Sequence, residues 1–108
     1  MAKEAFIITF HTTRRFDSDY ERTKFFKELH GWKQIIPKED KNYEYRRKGV
    51  LDDVSHMKIA DSVFMIAAEH IRIMEEFFSQ WEEKVEYEIM EIMINDRLVR
   101  RLHRARHV

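Results

Sequence analysis

The chain has 108 residues, enough for one hydrophobic core and too few for two. An apolar share of 44 % with eight Phe and two Trp excludes a disordered chain, and the absence of Cys excludes a disulfide framework, a thiolate metal site and a cysteine nucleophile. Lys+Arg and Asp+Glu cancel at 20 each, yet residues 95–108 hold five Arg against Asp96, a formal +4, which leaves −4 on the first 94 residues.

Ala5-Phe-Ile-Ile-Thr-Phe10 reads as a first strand, apolar on both faces and therefore central in a sheet. A polar turn through Thr12-Thr-Arg-Arg-Phe-Asp17 follows. Ser18-Asp-Tyr-Glu21 has the spacing of a capping box and opens a helix to about His30, with Tyr20, Phe25, Phe26 and Leu29 expected on its buried side. Gly31 supplies a left-handed position just past the helix, and Trp32 is expected to fold back on Phe26.

Trp32–Ile36 and Tyr43–Lys48 are short strand-like segments separated by a turn around Pro37–Asn42. Val50–Ala60 has no clear period and is expected to be mostly loop. Ser62–Ala67 is a compact apolar run, after which Ile71, Met74, Phe78 and Trp81 recur at helical spacing. Ile59, Val63, Ile66, His70 and Met74 also fit one helix over 55–84. Such a helix would reach about 45 Å, far longer than its neighbour, so strand followed by helix is preferred. Val85-Glu-Tyr-Glu-Ile89 alternates as a half-buried strand does. Asn95 or Asp96 caps a last helix whose thin apolar stripe, Leu98, Leu102 and Ala105, runs between arginines.

The order β-α-β-β-α-β predicts an α+β, ferredoxin-like sandwich: residues 1–94 form one domain with two helices on one face of a four-stranded antiparallel sheet, and residues 95–108 form a basic helical tail that adds little to the core. Ile7, Thr9, Tyr43, Tyr45 and Tyr87 are expected on the open face, and a homodimer is the simplest way to cover it. Ser62–Ile94 is similar in pattern to the closing half of PII-like and ACT-type sensor domains. The opening strand, arginine-containing turn and helix resemble the small CRISPR-associated endoribonuclease-like proteins, although His11 stands where that group places a metal-binding Asp. No motif is matched residue by residue, so no role is carried over.

Chemistry is sparsely signposted. Two glycines, Gly31 and Gly49, allow no phosphate-cradling loop, and no serine sits in a nucleophile elbow. No catalytic residue and no cofactor is assigned. His11, then Asp17 and Asp19, then Asp52, Asp53 and His56 collect at loop ends, and His11, Asp52, Asp53 and His56 are the candidates for a metal or acid–base site of a hydrolase; for polar loop residues facing water is the default. His70 is expected to be a partly buried structural histidine. The basic groups carry more information: Arg14 and Arg15; Arg46, Arg47 and Lys48; and Arg97, Arg100, Arg101 and Arg104 of the tail. The first two clusters lie beside Phe16, Tyr43 and Tyr45, the pairing of cations and aromatic faces that nucleic acid attracts. The expected function is a non-catalytic, oligomeric binding module for nucleic acid or an acidic protein. Alternatives are a small-ligand sensor with a site between subunits near residues 49–61, and a metal-dependent hydrolase. The apolar runs are too short to span a membrane, the start has no apolar leader, and a cytoplasmic setting is expected. Heavy use of Lys, Glu and Arg suits a thermophilic source.

Overall fold

A computed structural model describes residues 3–105; Arg106 of the basic tail lies outside them. The elements run β1 (Lys3–Thr12), α1 (Asp19–His30), β2 (Trp32–Lys38), β3 (Lys41–Arg47), a 3₁₀ turn (Val50–Asp53), β4 (His56–Ala60), β5 (Val63–Ala67), a second 3₁₀ turn (Ala68–His70), α2 (Ile71–Gln80), β6 (Val85–Ile94) and α3 (Asp96–Ala105). The architecture is mixed α+β: a four-stranded antiparallel sheet in the order β4-β5-β1-β6, a separate two-stranded sheet of β2 and β3, and three helices. Among the described residues no helix is long and apolar enough to cross a membrane.

The two-sided apolar strands take the interior of the sheet, as their sequences require. β1 pairs with β5 through Ile8↔Phe64 and with β6 through Ile8↔Ile89. Its even positions, Phe6, Ile8 and Phe10, join Phe64, Ile66 and Val85 under α1 and α2. Phe25 and Leu29 of α1 and Met74 and Phe78 of α2 are fully buried in that layer. Phe10 stands at its centre, with ring centroids 5.7 Å from Phe25, 5.3 Å from Phe78 and 6.2 Å from Phe64. The strand-then-helix reading of Ser62–Lys84 holds, and the single long helix does not. β5 spends its backbone on pairing with β1 and β4, and the 3₁₀ turn at Ala68–His70 separates it from α2. His70 is partly buried, and its Nδ1 accepts the Ser55 backbone N–H at 2.9 Å.

Three expectations are corrected. The strands at 32–38 and 41–47 pair with each other only, because no residue of β3 is buried and β2 shows only half-buried Trp32 and Gln34. The edge place in the main sheet goes to β4, inside the segment expected to be loop. Third, α3 is not an appendage. Its Leu98, Val99 and Leu102 cover Ala5, Met65, Ala67 and Ile94 on the second face of the sheet, and Leu102 is 1 % exposed. Asn95 Oδ1 accepts the Leu98 N–H at 2.9 Å and is the cap of this helix. Tyr87 belongs to the opposite layer, its ring 5.1 Å from Phe78.

The Ser18 cap forms, its Oγ accepting the Glu21 N–H at 3.2 Å, but Glu21 reaches back to the Asp17 N–H at 2.9 Å rather than to that of Ser18. Glu21 also accepts from Lys84 Nζ at 2.6 Å and Asp17 does so at 2.9 Å, which ties the start of α1 to the turn before β6. The hydrogen bond from Lys84, and then its charge, hold the Asp17 carboxyl below its usual value.

Candidate nucleic-acid interface

β2 and β3 form an arm. The radius of gyration is 16.0 Å, against about 13 Å for a compact chain of this length, and the molecule is 57 Å long and 21 Å thin. The excess fits a hairpin that stands off the body. A lone two-stranded hairpin is marginal in water, so its base must be gripped.

Both glycines of the chain serve that grip. Gly31, at φ 78°, turns the chain out of α1, and Gly49 returns it. A Cβ on Gly31 would strike the Arg46 guanidinium and the Arg47 carbonyl; one on Gly49 would meet the Gly31 nitrogen and lie 2.6 Å from the Leu29 carbonyl oxygen. Arg46 lies across this crossing. It donates to the carbonyls of Arg47 and His30, the latter at 2.8 Å, and to Asp52 Oδ2 at 3.1 Å; Asp52 in turn accepts the Gly49 N–H at 2.7 Å. Nearby, the His30 imidazole is held below its usual value by partial burial, then by Lys58 and His56. Its ring lies 6.3 Å from Phe26 and 5.9 Å from Phe64.

Register and strand alternation divide the arm into two unlike faces. One holds Lys33, Ile35 and Pro37 opposite Arg46, Glu44 and Asn42, with a Lys33–Glu44 ion pair at 2.9 Å. The other holds Trp32, Gln34, Ile36 and Lys38 opposite Arg47, Tyr45, Tyr43 and Lys41. This second face has three aromatic rings, three cations and no acid. Tyr43 and Tyr45 are 45 % and 46 % exposed. The Arg47 guanidinium lies 5.5 Å from the Tyr45 ring and also donates to Gln34 at 2.5 Å.

The same chemistry continues onto α1. Trp32 does not fold back on Phe26; the Lys27 ammonium sits 4.3 Å from its ring centroid. A groove of about 360 Å³ between α1 and the arm is lined by Tyr20, Lys24, Lys27, Trp32 and Lys48, with Glu28 its one acid. Tyr20, expected in the core, is 78 % exposed and belongs to this surface. Tyr20, Lys24 and Lys27 were missed because a helical period alone does not say which flank of α1 the arm will leave open.

The structure does not merge the three basic clusters. Arg14 and Arg15 lie at the turn before α1, about 18 Å from the end where the arm departs, and Arg15 pairs with Glu86 at 3.1 Å. Arg46 is committed to the arm's base. Lys48 lies 3.8 Å from Asp53. Arg97, Arg100, Arg101 and Arg104 are exposed on α3, over the other face of the sheet.

The metal candidates are separated too. His11 Nε2 pairs with Glu86 at 2.8 Å, and its register position on β1 is five residues from that of His56, about 17 Å. Asp52 is taken by Arg46 and Gly49, Asp53 faces Lys48, and His56 Nδ1 bonds the Val54 carbonyl at 2.7 Å. Among the described residues no three His, Asp or Glu side chains converge as a metal site would need. The 49–61 segment expected to frame a ligand site is a 3₁₀ turn and a paired strand. No family model, no curated protein and no solved structure matches this chain.

Proposed function

We propose that the protein is a non-catalytic nucleic-acid-binding module whose contact surface is the aromatic and cationic face of the arm together with the adjoining groove of α1. One observation carries this reading: Lys38, Lys41, Arg47 and three aromatic side chains share a face on which no carboxylate sits. Cations neutralise phosphates, and aromatic rings take bases without regard to sequence. Under this reading the body is a ferredoxin-like sandwich, supported by the antiparallel order β4-β5-β1-β6, with the arm inserted after its first helix. The test is the salt dependence of binding. If about four phosphates of a single strand are neutralised, log K falls against log salt with a slope near −3. The double variant Lys38→Glu, Lys41→Glu should flatten that slope, and Arg97→Glu, Arg100→Glu on α3 should leave it. The reverse result would move the surface to α3.

Pairing with a second copy remains part of this reading. α3 leaves one end of the second sheet face open, where Met90, opposite Ile7, is 44 % exposed. Light scattering at the mass of the 13.4 kDa monomer over a wide concentration range would remove this element.

A further inference from the structure

We infer that the arm selects unpaired strands over duplex, holding bases between successive aromatic side chains; this rests on the nucleic-acid reading above and names its ligand class. Tyr43 and Tyr45 are two residues apart on one strand and project from the same face, so their positions are separated by about 6.7 Å. That is about twice the 3.4 Å rise between stacked bases along one strand. A base lying between the two rings would have stacking distance on both sides. Trp32 stands opposite Arg47, one step further along the same face, and extends the ladder towards the groove.

Duplex bases fit this ladder badly. Each is already stacked on its neighbours at half the spacing, and opening a step costs stacking before any ring is gained. Unpaired bases meet no such cost. Charge is placed to match along the ladder: the Lys38–Lys41 pair ends it beside the acidic Glu39–Asp40 turn, Arg47 and Lys48 flank the base, and Lys27 lies against Trp32. Cations at both ends of an aromatic row suit a backbone that runs along the arm with its bases turned inward. The rings and lysines of this face contact base surfaces and phosphate, and Gln34 and Arg47, the two side chains able to read a base edge, are bonded to each other, so weak sequence preference is expected.

The experiment measures fluorescence anisotropy of labelled oligo-dT and oligo-rU of about fifteen nucleotides and of a duplex of equal length, at low and high salt, with the full chain. Two variants are compared, Tyr43→Ala with Tyr45→Ala, and Tyr43→Leu with Tyr45→Leu, the second retaining bulk and apolar character but no ring. Melting temperature checks the body in each. The expected result is at least about tenfold tighter binding of single strands than of duplex, lost by about tenfold or more in both variants, with duplex binding unchanged. The two oligonucleotides separate DNA from RNA as the source of the strand. Equal binding of duplex and single strand, or variants that bind single strands as the parent does, would overturn the inference and leave the nucleic-acid reading standing. No binding of either form at low salt would overturn both.

Discussion

The hairpins β2–β3 and β4–β5 are both antiparallel, and only the shorter one enters the core. In β4–β5 the second strand, Val63–Ala67, is apolar on both faces: Phe64 and Ile66 go under the helices, and Met65 and Ala67 go under α3. In β2–β3 alternation produces a mixed aromatic face and a charged face, and neither is buried. Strand propensity together with a gripped base is enough to hold a hairpin. Entry into a two-layered body takes apolar side chains on both sides of at least one strand. The excluded hairpin keeps its rings and cations available, which is what a binding surface needs.

The largest expected difference between the two hairpins is in stability. Phe64→Ala removes a ring that is 1 % exposed and should cost about 3–5 kcal/mol, read from denaturant unfolding. Tyr45→Ala in the arm should stay within about 0.5 kcal/mol. Equal losses would mean that the arm is folded onto the body. Next comes the layer that the body hairpin shares with α3: Leu102→Ala should cost about 2–5 kcal/mol, because Leu102 is as buried as Phe64. A loss near zero would return α3 to the role of a detachable tail.

A smaller effect is expected at the junction between arm and body. Gly49→Ala forces a methyl towards the Leu29 carbonyl and should cost about 1–3 kcal/mol, with faster amide exchange in residues 32–47 than in the main sheet. Uniform exchange changes would show that arm and body unfold together.

The smallest effect concerns the α3 clasp. His103 Nδ1 faces the Val99 carbonyl at 2.9 Å and Nε2 faces Glu69 at 2.7 Å, so both ring nitrogens donate when protonated. The Val99 bond first, then Glu69, raise the pKa above its ordinary 6.5. A raised value means that this contribution is complete below about pH 6.5 and fades as pH rises through the higher folded value. An NMR titration should place the His103 midpoint above 6.5 and move it down in Glu69→Gln. An unmoved midpoint would remove Glu69 from the clasp.

Much of the body was legible because its signals are local. β1, α1, α2 and β6 announce themselves by period, and Ser18 marks its own cap. β4 was hidden because an edge strand shows little burial: His56 and Met57 are only half-buried and Lys58, Ile59 and Ala60 are exposed. The role of α3 was hidden for a different reason. Three apolar residues among arginines look like a solvated helix until Ala5 and Ala67, small residues on adjacent strands, are known to leave room for it. The basic and aromatic residues of 43–48 were legible as a chemistry. Their division between an anchoring Arg46 and an outward Arg47 was not, since adjacent residues of a strand point to opposite faces and only the pairing register says which face meets the body.

The crossing of Gly31 and Gly49 gives the arm the character of a cassette. Its first and last residues leave and rejoin the body at one point, with the two glycines in contact, so the chain on either side is already positioned to be joined without it. Excising 32–48 and bridging the ends should leave the main sheet and its three helices with their present partners. A ribbon of different length or chemistry could be spliced into the same gap, and the body would then serve as a carrier for hairpins that cannot stand alone.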